Sequence, residues 1–332
     1  MRRARASPVA AHFFVGFVVT FVGIRPVTPF DASLVQQAAA SAAGAQHFPV
    51  GALYVVATPI GNLADLSLRA IHVLGLVDAI ACEDTRHSAP LLNALGIAHK
   101  PLLAVHEHNE REAAAGVLER LARGERVAYV SDAGTPAISD PGAALVAAVR
   151  AAGYRALPIP GASSAVAALS VAGDDIGGAF TFIGFLPSRS GERALALREL
   201  AANPCTQVLF EAPHRIYALA EALAEVCGGR TLTVCRELTK QFETVHSLPA
   251  QELPAWLGAD ANRSRGEFVL VVHARAAVAA DSAAQAHDVT LRTLLAALPL
   301  KQAVALAAEL TGAPRNALYE RALALKNEGD AA

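Results

Sequence analysis

The sequence predicts an α/β protein with two sheet-containing domains and a small helical module at its C-terminal end. Short apolar segments of strand length alternate with helical segments from Gly51 onward. The strand segments before Pro160 are apolar at consecutive positions, which is typical of parallel strands covered by helices on both faces. Each also ends in a cluster of polar residues, glycine or proline. Since the carboxyl ends of parallel strands meet at one edge of a sheet, these clusters predict a ligand site.

The first domain is predicted to span residues 51–160. Its strands are expected at Leu53–Thr58, Ala79–Cys82, Leu102–Val105, Arg126–Ser131 and Arg155–Ile159. Helices lie between them, and Asp65 or Ser67 is the predicted N-cap of the first helix, which runs to about Leu76. Later helices are expected to about Leu95, over Glu110–Arg123 and over Pro141–Ala152.

The second domain, residues 161–275, is predicted to contain a mixed sheet. It begins with a helix of small residues that ends near Ala172. Strands are expected at Ala179–Phe185, Gln207–Phe210, Thr231–Cys235 and Phe268–His273, with helices at Arg189–Ala201, Ile216–Cys227 and Pro249–Leu257. An alanine-rich linker, 276–288, precedes the helical module, 289–327, which breaks at Leu298-Pro299 and again at 312–314.

Composition narrows the class of protein. The 332 residues are 53% hydrophobic and 17% charged with a net charge of −2, which indicates a globular chain without a general basic field. Any RNA contact must therefore come from local patches. The four cysteines, Cys82, Cys205, Cys227 and Cys235, form no CxxC pair, so we expect reduced, buried thiols and neither a zinc site nor a disulfide framework.

The first fifty residues differ from the rest. Three arginines (Arg2, Arg3 and Arg5) precede an apolar run, Val9–Ile24, and small residues follow at 38–45. This is the layout of a secretory signal. The alternative is an upstream start codon, which predicts that residues 1–50 are absent or disordered in a cytoplasmic working protein. We favour the second interpretation because the chain from Gly51 onward looks cytosolic.

The fourth strand leads into the most informative loop. The strand ends at Ser131-Asp132, and a Gly134-Thr135-Pro136 turn follows. Asp132 lies at the strand tip, where capping does not explain it, so we predict a functional role. Asp140 precedes Pro141, and Asp at an N-cap followed by Pro at the first helical position is an ordinary helix start. We therefore interpret Asp140 as a cap and not as a direct ligand.

Other polar clusters indicate a function less specifically. The segment 83–87, Glu-Asp-Thr-Arg-His, has more titratable groups than a helix cap needs. His106 and His108 alternate at a strand end, but without further spaced ligands they predict hydrogen-bonded structure and no metal. No GxGxxG, Walker A or GxSxG sequence occurs, so a dinucleotide fold, a P-loop and a nucleophile elbow are not supported. Basic residues of the second domain form either a solvated face or a phosphate-binding surface: Arg189, Arg193, Arg198, Arg215, Arg236 and Lys240.

Taken together, nine motifs in order resemble one family. They are ATPIGNLxD (57–65), EDTRH (83–87), HEHNE (106–110), SDAGTP (131–136), PGASS (160–164), GFLP (184–187), EAPHR (211–215), RELTKxxET (236–244) and GEFVLVV (266–272). This order is similar to that of the ribosomal RNA small subunit methyltransferase I proteins, in the tetrapyrrole methylase superfamily. The resemblance covers Gly51 to about Lys326 and excludes the first fifty residues. One departure is Gly161-Ala162, where many members have Gly-Pro.

The resemblance implies transfer of a methyl group from S-adenosylmethionine to the ribose 2′-oxygen of a cytidine (position 1402) in 16S rRNA of the 30S subunit. It also implies two α/β domains with the cofactor in the cleft between them, a homodimer, and no membrane partner. The cofactor would contact the loop 58–61, the loop 132–136, a serine turn and two places in the second domain. Carried over onto this chain, these residues are Thr58, Pro59, Gly61, Asp132, Gly134, Thr135, Pro136, Ser163, Ser164, Phe185, Leu186, Ala212 and Pro213.

Catalysis of this reaction needs an acceptor oxygen in line with the S–CH3 bond and a nearby base, since a ribose hydroxyl is a poor nucleophile. Glu83, Asp84 and Asp132 are the catalytic candidates. The predicted RNA contacts are Arg86, His87, Arg189, Arg193, Arg215, Arg236 and Lys240.

Two alternatives stay open. A methylase of a tetrapyrrole or another small molecule would share the fold and cofactor, but would end near His273; the helical pattern at 289–326 looks like an RNA-associating module and favours RNA. A non-catalytic ribosome-binding protein would have no reason to retain ligand loops.

Overall fold

The structure is a computed structural model that describes residues 31–97, 99–106, 109–275 and 287–330. The chain divides into two compact units between Ala274 and Arg275. The first unit holds two five-stranded sheets, and the described part of the second unit consists of helices. The apolar run Val9–Ile24 and most of the predicted linker lie outside the described residues.

The first sheet is entirely parallel, as the sequence predicts. Its strands are β1 (Ala52–Val56), β2 (Ala79–Cys82), β3 (Leu102–Ala104), β4 (Val127–Val130) and β5 (Arg155–Ile159), in the spatial order β3-β2-β4-β1-β5. Every residue of β2 and β4 is buried, because helices cover both faces. The carboxyl ends of β1, β2 and β4 therefore meet at the middle of one edge.

Five helices accompany this sheet. They are α1 (Ala32–Ala43), α2 (Leu68–Leu76), α3 (Thr85–Ala94), α4 (Glu110–Ala122) and α5 (Ala143–Ala151), with a short 3-10 turn at Leu63–Asp65. Ser67 is the N-cap of α2, since its hydroxyl accepts a hydrogen bond from the Ala70 N–H at 3.1 Å. Asp84 caps α3 by accepting from the Arg86 N–H at 2.8 Å.

The second sheet is mixed, also as predicted. Its strands are β6 (Phe180–Phe185), β7 (Thr206–Glu211), β8 (Thr231–Arg236), β9 (Thr244–Pro249) and β10 (Phe268–Val272), in the order β6-β7-β10-β8-β9. Only β6 and β7 are parallel to each other. The accompanying helices are α6 (Ser164–Ala172), α7 (Ser190–Ala202), α8 (Ile216–Cys227) and α9 (Leu253–Gly258).

Strand β9 was not predicted, and assigning Pro249 to a helix was wrong. Pro249 is the last residue of β9 and pairs with Thr231 at the edge of the sheet. An edge strand tolerates proline because one side of it has no strand to receive its N–H groups. The helix α9 begins only at Leu253, after a 3-10 turn at Ala250–Glu252.

The segment 32–50 belongs to the folded unit, which corrects the prediction that residues 1–50 form a disordered extension. Asp31 caps α1 by accepting from the Ser33 and Leu34 N–H groups at 2.9 and 3.2 Å. Ala39 and Ala43 are each only 1% exposed, because α1 packs against α2. Residues 1–30 lie outside the described residues.

A protein that starts at His47 is therefore expected to be less stable than one that starts at Asp31, by about 2 kcal/mol or more, because the apolar contacts of α1 are lost. The Asp31 start is the matched control because it keeps the helix and its cap. Urea unfolding of the two proteins measures the difference. Equal unfolding midpoints would show that α1 adds nothing to the stability of the unit.

The C-terminal unit is a three-helix cluster built from α10 (Asp288–Leu295), α11 (Leu300–Thr311) and α12 (Arg315–Asp330). The helices break where predicted: Pro299 is the N-cap of α11, and Gly312 ends it with a φ of +69°. A bidentate ion pair joins Arg321 of α12 to Asp288 of α10. None of the helices described, in either unit, is long and apolar enough to cross a membrane.

None of the four cysteines forms a disulfide, but only two of them match the expectation of burial. Cys82 and Cys235 are buried, and burial raises the pKa of Cys82 to about 11 and that of Cys235 to about 12. Cys205 and Cys227 are partly exposed.

Candidate active site

Hydrogen bonds tie together three loops at the carboxyl edge of the first sheet. The N–H of Thr58 donates to the carbonyl of Gly134 at 2.9 Å, and the N–H of Gly134 donates back at 3.1 Å. The Thr58 hydroxyl also donates to the Ser131 carbonyl at 3.2 Å. Thr135 donates its hydroxyl to the Ala162 carbonyl at 3.0 Å. The loops after β1, β4 and β5 therefore form one continuous floor.

Gly134 is required at the centre of this floor. Its φ is +81°, which is in the left-handed region that favours glycine. A Cβ atom there would lie 3.3 Å from Cγ2 of Ile60. A larger residue would separate the two loops.

Asp132 organises the residues that follow β2. Its Oδ1 accepts from the Asp84 N–H at 3.2 Å, and its Oδ2 lies 2.9 Å from Nδ1 of His87. The Asp132 N–H is 3.5 Å from Oε2 of Glu83. Asp132 at the tip of β4 thus fixes the start of α3, and both of its carboxylate oxygens are engaged in these contacts.

Two neighbouring carboxyls differ in their affinity for protons. The Arg86 guanidinium lowers the pKa of Asp84 to about 2 through hydrogen bonds of 3.0 and 3.1 Å from Nε. Burial, with added repulsion from Asp132, raises the pKa of Glu83. Asp84 is consequently a fixed anion, whereas Glu83 holds a proton more readily.

Asp140 does not cap α5, so that prediction was wrong. The helix starts at Ala143 with Gly142 as its N-cap residue. Its N–H groups are satisfied from another element: Oε1 of Glu110 accepts from Gly142 and from Leu145, both at 2.9 Å. A carboxylate at a helix N-terminus is favourable wherever it comes from in the chain.

Asp140 instead lines the cleft above the sheet edge. Burial raises the pKa of Asp140 to about 7, and Glu83 and Asp132 add to the shift by repulsion. A hydrogen bond with the Ser131 hydroxyl opposes it.

The cleft lies between the loops of the first sheet and one face of the second. Four carboxyl residues line it, and among the described lining residues none is basic. Phe185 and Phe210 form an apolar wall with their rings in edge-to-face contact at 5.7 Å. The full lining comprises Ile60, Glu83, Asp132, Ala133, Gly134, Thr135, Ile138, Ser139, Asp140, Ser163, Ser164, Phe185, Phe210, Cys235, Leu238, Glu267 and Val269.

Comparisons with known proteins decide the family. Residues 52–254 match the family Tetrapyrrole (Corrin/Porphyrin) Methylases, and residues 279–326 match the RsmI C-terminal HTH domain. The chain is 48% identical over 274 residues to the ribosomal RNA small subunit methyltransferase I of Escherichia coli O157:H7, covering 82% of this chain and 95% of that one. The chain belongs to the ribosomal RNA small subunit methyltransferase I family.

Further relatives have the same name. The Pseudomonas aeruginosa protein is 48% identical over 275 residues, covering 82% of this chain and 97% of its own. The Xylella fastidiosa protein is 49% identical over 271 residues, covering 81% and 98%. Two solved structures share the fold at a TM-score of 0.50: cobalt precorrin-4 methyltransferase CbiF (17% identity, 68% of this chain and 98% of that one) and the methyltransferase CobJ (22% identity, 67% and 93%).

Some of the predicted cofactor residues of this methyltransferase line the cleft, and others are not part of its lining. Those that line it are Asp132, Gly134, Thr135, Ser163, Ser164 and Phe185. Those that do not are Thr58, Pro59, Gly61, Pro136, Leu186, Ala212 and Pro213. From the predicted loop 58–61, Ile60 is the lining residue. Of the catalytic candidates, Glu83 and Asp132 line the cleft and Asp84 does not.

Sequence reasoning missed several lining residues of the second sheet, namely Phe210, Cys235, Leu238, Glu267 and Val269. Glu267 illustrates the reason. It precedes β10, which runs antiparallel to β7 and β8, so the amino end of β10 reaches the edge where those strands end. A search restricted to the carboxyl ends of strands does not find such a residue.

Three of the predicted RNA contacts of the methyltransferase bind groups within the protein. Nε of Arg215 lies 3.1 Å from Oε1 of Glu211, and Nη2 of Arg193 lies 3.5 Å from its Oε2. Arg236 donates to the carbonyls of Arg265 and Phe242 at 3.2 and 3.0 Å. These side chains stabilise the second sheet and its loops.

Lys240 also pairs with groups within the protein. Its amine lies 2.9 Å from Glu237 and 2.8 Å from Glu267. Burial opposes its charge, yet hydrogen bonds to Glu267 and Glu237 raise the pKa of Lys240 above its usual value. The alkyl chain passes over Gly61, where a Cβ atom would come within 2.5 Å of Cγ of Lys240. Lys240 thus connects the second sheet to the β1 loop of the first.

The remaining predicted RNA contacts are more exposed to solvent. The Arg86 side chain is 86% exposed, even though it pairs with Asp84. Arg189 is 55% exposed and pairs with Glu192, which is equally open to solvent. His87 is partly exposed beside Asp132.

Only one member of the histidine pair considered for metal binding belongs to the described residues. His108 lies outside them, while the His106 N–H donates to Oδ1 of Asn109 at 2.8 Å. Within the described part of the chain, no group of three or more His, Cys, Asp or Glu side chains is arranged to hold a metal ion.

Proposed function

We propose that this protein transfers a methyl group from S-adenosylmethionine to the ribose 2′-oxygen of a cytidine in 16S rRNA. The observation that carries the proposal is the 48% identity to a ribosomal RNA small subunit methyltransferase I over 82% of the chain. The match of residues 279–326 to the C-terminal domain of this family supports RNA over a small acceptor molecule.

The residues of the cleft fit the cofactor. S-adenosylmethionine has a sulfonium cation, and the cleft presents four carboxyls, Glu83, Asp132, Asp140 and Glu267, without a lining cation among the described residues. Opposite charges in a partly buried site attract strongly. The aromatic wall of Phe185 suits a flat heterocycle. When bound, the cofactor supplies an electrophilic methyl group.

The chain itself has to position the acceptor and remove a proton. The tied loops hold Asp132 and Thr135 in place, so the floor is ordered before any ligand binds. Positioning of this kind accounts for much of the acceleration in methyl transfer. A carboxylate of the cleft accepts the hydroxyl proton, since a neutral ribose oxygen is a poor nucleophile.

The acidic cleft also favours a structured ribosomal substrate. RNA phosphates are repelled by the lining carboxyls, so only a ribose edge enters while the phosphates remain outside. Exposed cations such as Arg86 and Arg189 are available to meet them. With a net charge of −2, recognition depends on the shape of a folded site, which supports the 30S subunit as the substrate. A cytoplasmic homodimer is part of the same proposal and rests on the family resemblance.

The test is methyl transfer from labelled S-adenosylmethionine to 30S subunits that lack the modification, using a protein that starts at Asp31 and so retains α1. We expect label in a single 2′-O-methylcytidine, identified by nucleoside mass spectrometry. Naked 16S rRNA is the matched substrate and is expected to react far more slowly. Tight cofactor binding without incorporation into either RNA would contradict the proposal and indicate a small-molecule acceptor.

A further inference from the structure

One edge of the second sheet borders the cleft. Arg236 at the end of β8 pairs with Phe268 at the start of β10, so the carboxyl end of β8 and the amino end of β10 meet there. Two loops continue from this edge: residues 237–243, which join β8 to β9, and residues 259–267, which lead from α9 into β10. Each loop contributes one residue to the lining of the cleft: Leu238 and Glu267. Both loops therefore adjoin the cleft.

The first of these loops exposes an aromatic ring. The Phe242 side chain is 67% exposed, and Nη2 of Arg236 donates to the Phe242 carbonyl at 3.0 Å. Nη1 of the same guanidinium donates to the carbonyl of Arg265, in the second loop, at 3.2 Å. One arginine thus fixes the backbone of both loops, at Phe242 in one and at Arg265 in the other.

The loop 237–243 is also fixed by contacts within it. Oε2 of Glu243 accepts from the Thr239 N–H at 2.6 Å, and the Lys240 N–H donates to the Glu237 carbonyl at 3.0 Å. Glu237 and Thr239 have positive φ angles, +53° and +67°, although neither is glycine. Such conformations cost free energy and persist only where surrounding contacts enforce them. The position from which the Phe242 ring projects is therefore set before any partner binds.

The same edge has exposed cations. Arg265 is exposed, whereas Arg263 of the same loop lies 4.6 Å over the Trp256 ring and donates to the Trp256 carbonyl at 3.0 Å. Arg189, which follows β6, is also exposed. In the strand order β6-β7-β10-β8, β6 and β8 are about 14 Å apart, a distance that a few nucleotides of RNA cover.

Building on the ribose methylation proposed above, we propose that this edge binds unpaired rRNA nucleotides next to the target cytidine. The Phe242 ring stacks on one base, and Arg265 binds a neighbouring phosphate. Aromatic rings commonly bind the splayed bases of single-stranded RNA in this way. The carboxyls of the cleft repel phosphates, so the RNA backbone needs cations directly outside it. Nucleotides bound here orient the target ribose towards the cleft.

The first test compares variants of Phe242 by KM and kcat for methyl transfer to 30S subunits. Phe242→Ala is expected to raise KM for 30S subunits about tenfold, the effect of losing one base–aromatic stack. Its kcat and its dissociation constant for S-adenosylmethionine are expected to stay within about twofold, because the stack is made equally in the ground state and the transition state.

The shape of the replacement separates stacking from a general apolar contact. Phe242→Tyr retains the flat ring and is expected to keep KM within about twofold of the unsubstituted protein. Phe242→Leu is apolar but not flat, and is expected to behave like Phe242→Ala. Leu34→Ala is the matched control, since Leu34 of α1 is 62% exposed and should leave KM unchanged. Equal KM values for Phe242→Ala and the unsubstituted protein would overturn the proposal.

The role of Arg265 is tested through salt dependence, which needs no turnover. Binding of the protein to 30S subunits is measured over a series of salt concentrations. Arg265→Gln is expected to reduce the slope of log affinity against log salt by about 1, because one phosphate contact is lost. Arg150→Gln removes an exposed cation from the last turn of α5 and should leave the slope unchanged. An unchanged slope in Arg265→Gln would contradict the phosphate contact.

Crosslinking identifies what the ring contacts. Photoreactive benzoylphenylalanine replaces Phe242 in the protein that starts at Asp31, and its complex with 30S subunits is irradiated. We expect crosslinks to rRNA within a few nucleotides of the target cytidine, mapped by primer extension. Crosslinks only to a ribosomal protein or to a second copy of this chain would overturn the proposal. Failure of the proposed function is a different result, in which the unsubstituted protein forms no 2′-O-methylcytidine.

Discussion

Gly142→Ala is expected to lower the free energy of unfolding by about 3 kcal/mol or more and to reduce methyl transfer sharply. Two effects of the substitution lower the free energy of unfolding. The φ of Gly142 is +123°, which alanine rarely adopts. The new Cβ atom would also lie within 2.2 Å of the Tyr129 ring, which is buried and cannot swing aside.

Activity suffers for a structural reason. Relief of the clash is expected to move Pro141 away from Tyr129, and with it the preceding residue, Asp140, which lines the cleft. A misplacement of about 1 Å in groups that line a catalytic site can cost about 100-fold in rate.

Gly153→Ala is the matched control for Gly142→Ala. Gly153 also has a positive φ, +84°, but a Cβ atom at this position would have no neighbouring atom within 4 Å. Its substitution is expected to cost only about 1 kcal/mol, from the backbone term. Urea unfolding and 30S methylation of both variants make the comparison. Equal losses in the two would show that the Tyr129 contact is unimportant.

Glu211→Ala is expected to destabilise the protein by about 3 kcal/mol or more. The Glu211 side chain is fully buried, and it faces the guanidinium groups of Arg193 and Arg215, whose side chains are 16% and 25% exposed. Removing the carboxylate leaves two largely buried cations without their counter-ion. The loss of one partner from a buried ion pair is far more costly than the pair is worth in total.

The effect of Glu211→Ala should extend to the cleft. Arg215 donates from Nη2 to the Leu186 carbonyl at 2.7 Å, and Leu186 follows Phe185 of the aromatic wall. We therefore expect weaker cofactor binding as well as a lower melting temperature. Glu192→Ala is the control, because its pair with Arg189 is exposed and worth at most about 0.5 kcal/mol. A Glu211 variant as stable as the Glu192 variant would contradict this account.

The fold could be predicted largely because its signals are local. The apolar runs of β2 and β4 and the hydroxyl cap at Ser67 depend on residues close together in the chain. Strand β9 was missed because a largely exposed edge strand that ends in a proline has little apolar signal. Helix α1 was missed because it follows a segment of signal-like composition.

The site was predictable only in part, because its decisive contacts link distant positions. Asp132 and Glu83 were predicted because each lies within two residues of the end of a strand. Asp140 was misassigned, because Asp-Pro before a helix is typical of a cap and the actual cap, Glu110, is 32 residues away from Gly142. The pairing of Thr58 with Gly134 joins residues of two different loops, and nothing in either motif indicates it.

That pairing has a consequence for how ligands are distinguished. The backbone on the floor of the cleft has already lost its conformational entropy in the free protein, so binding there requires little additional ordering. Adaptation to ligands of different shape must then come from the opposite side, where Phe185, Phe210 and Leu238 present side chains from the second sheet. We therefore expect selectivity among related cofactors and their products to depend on the second sheet, with the first sheet as a fixed reference surface.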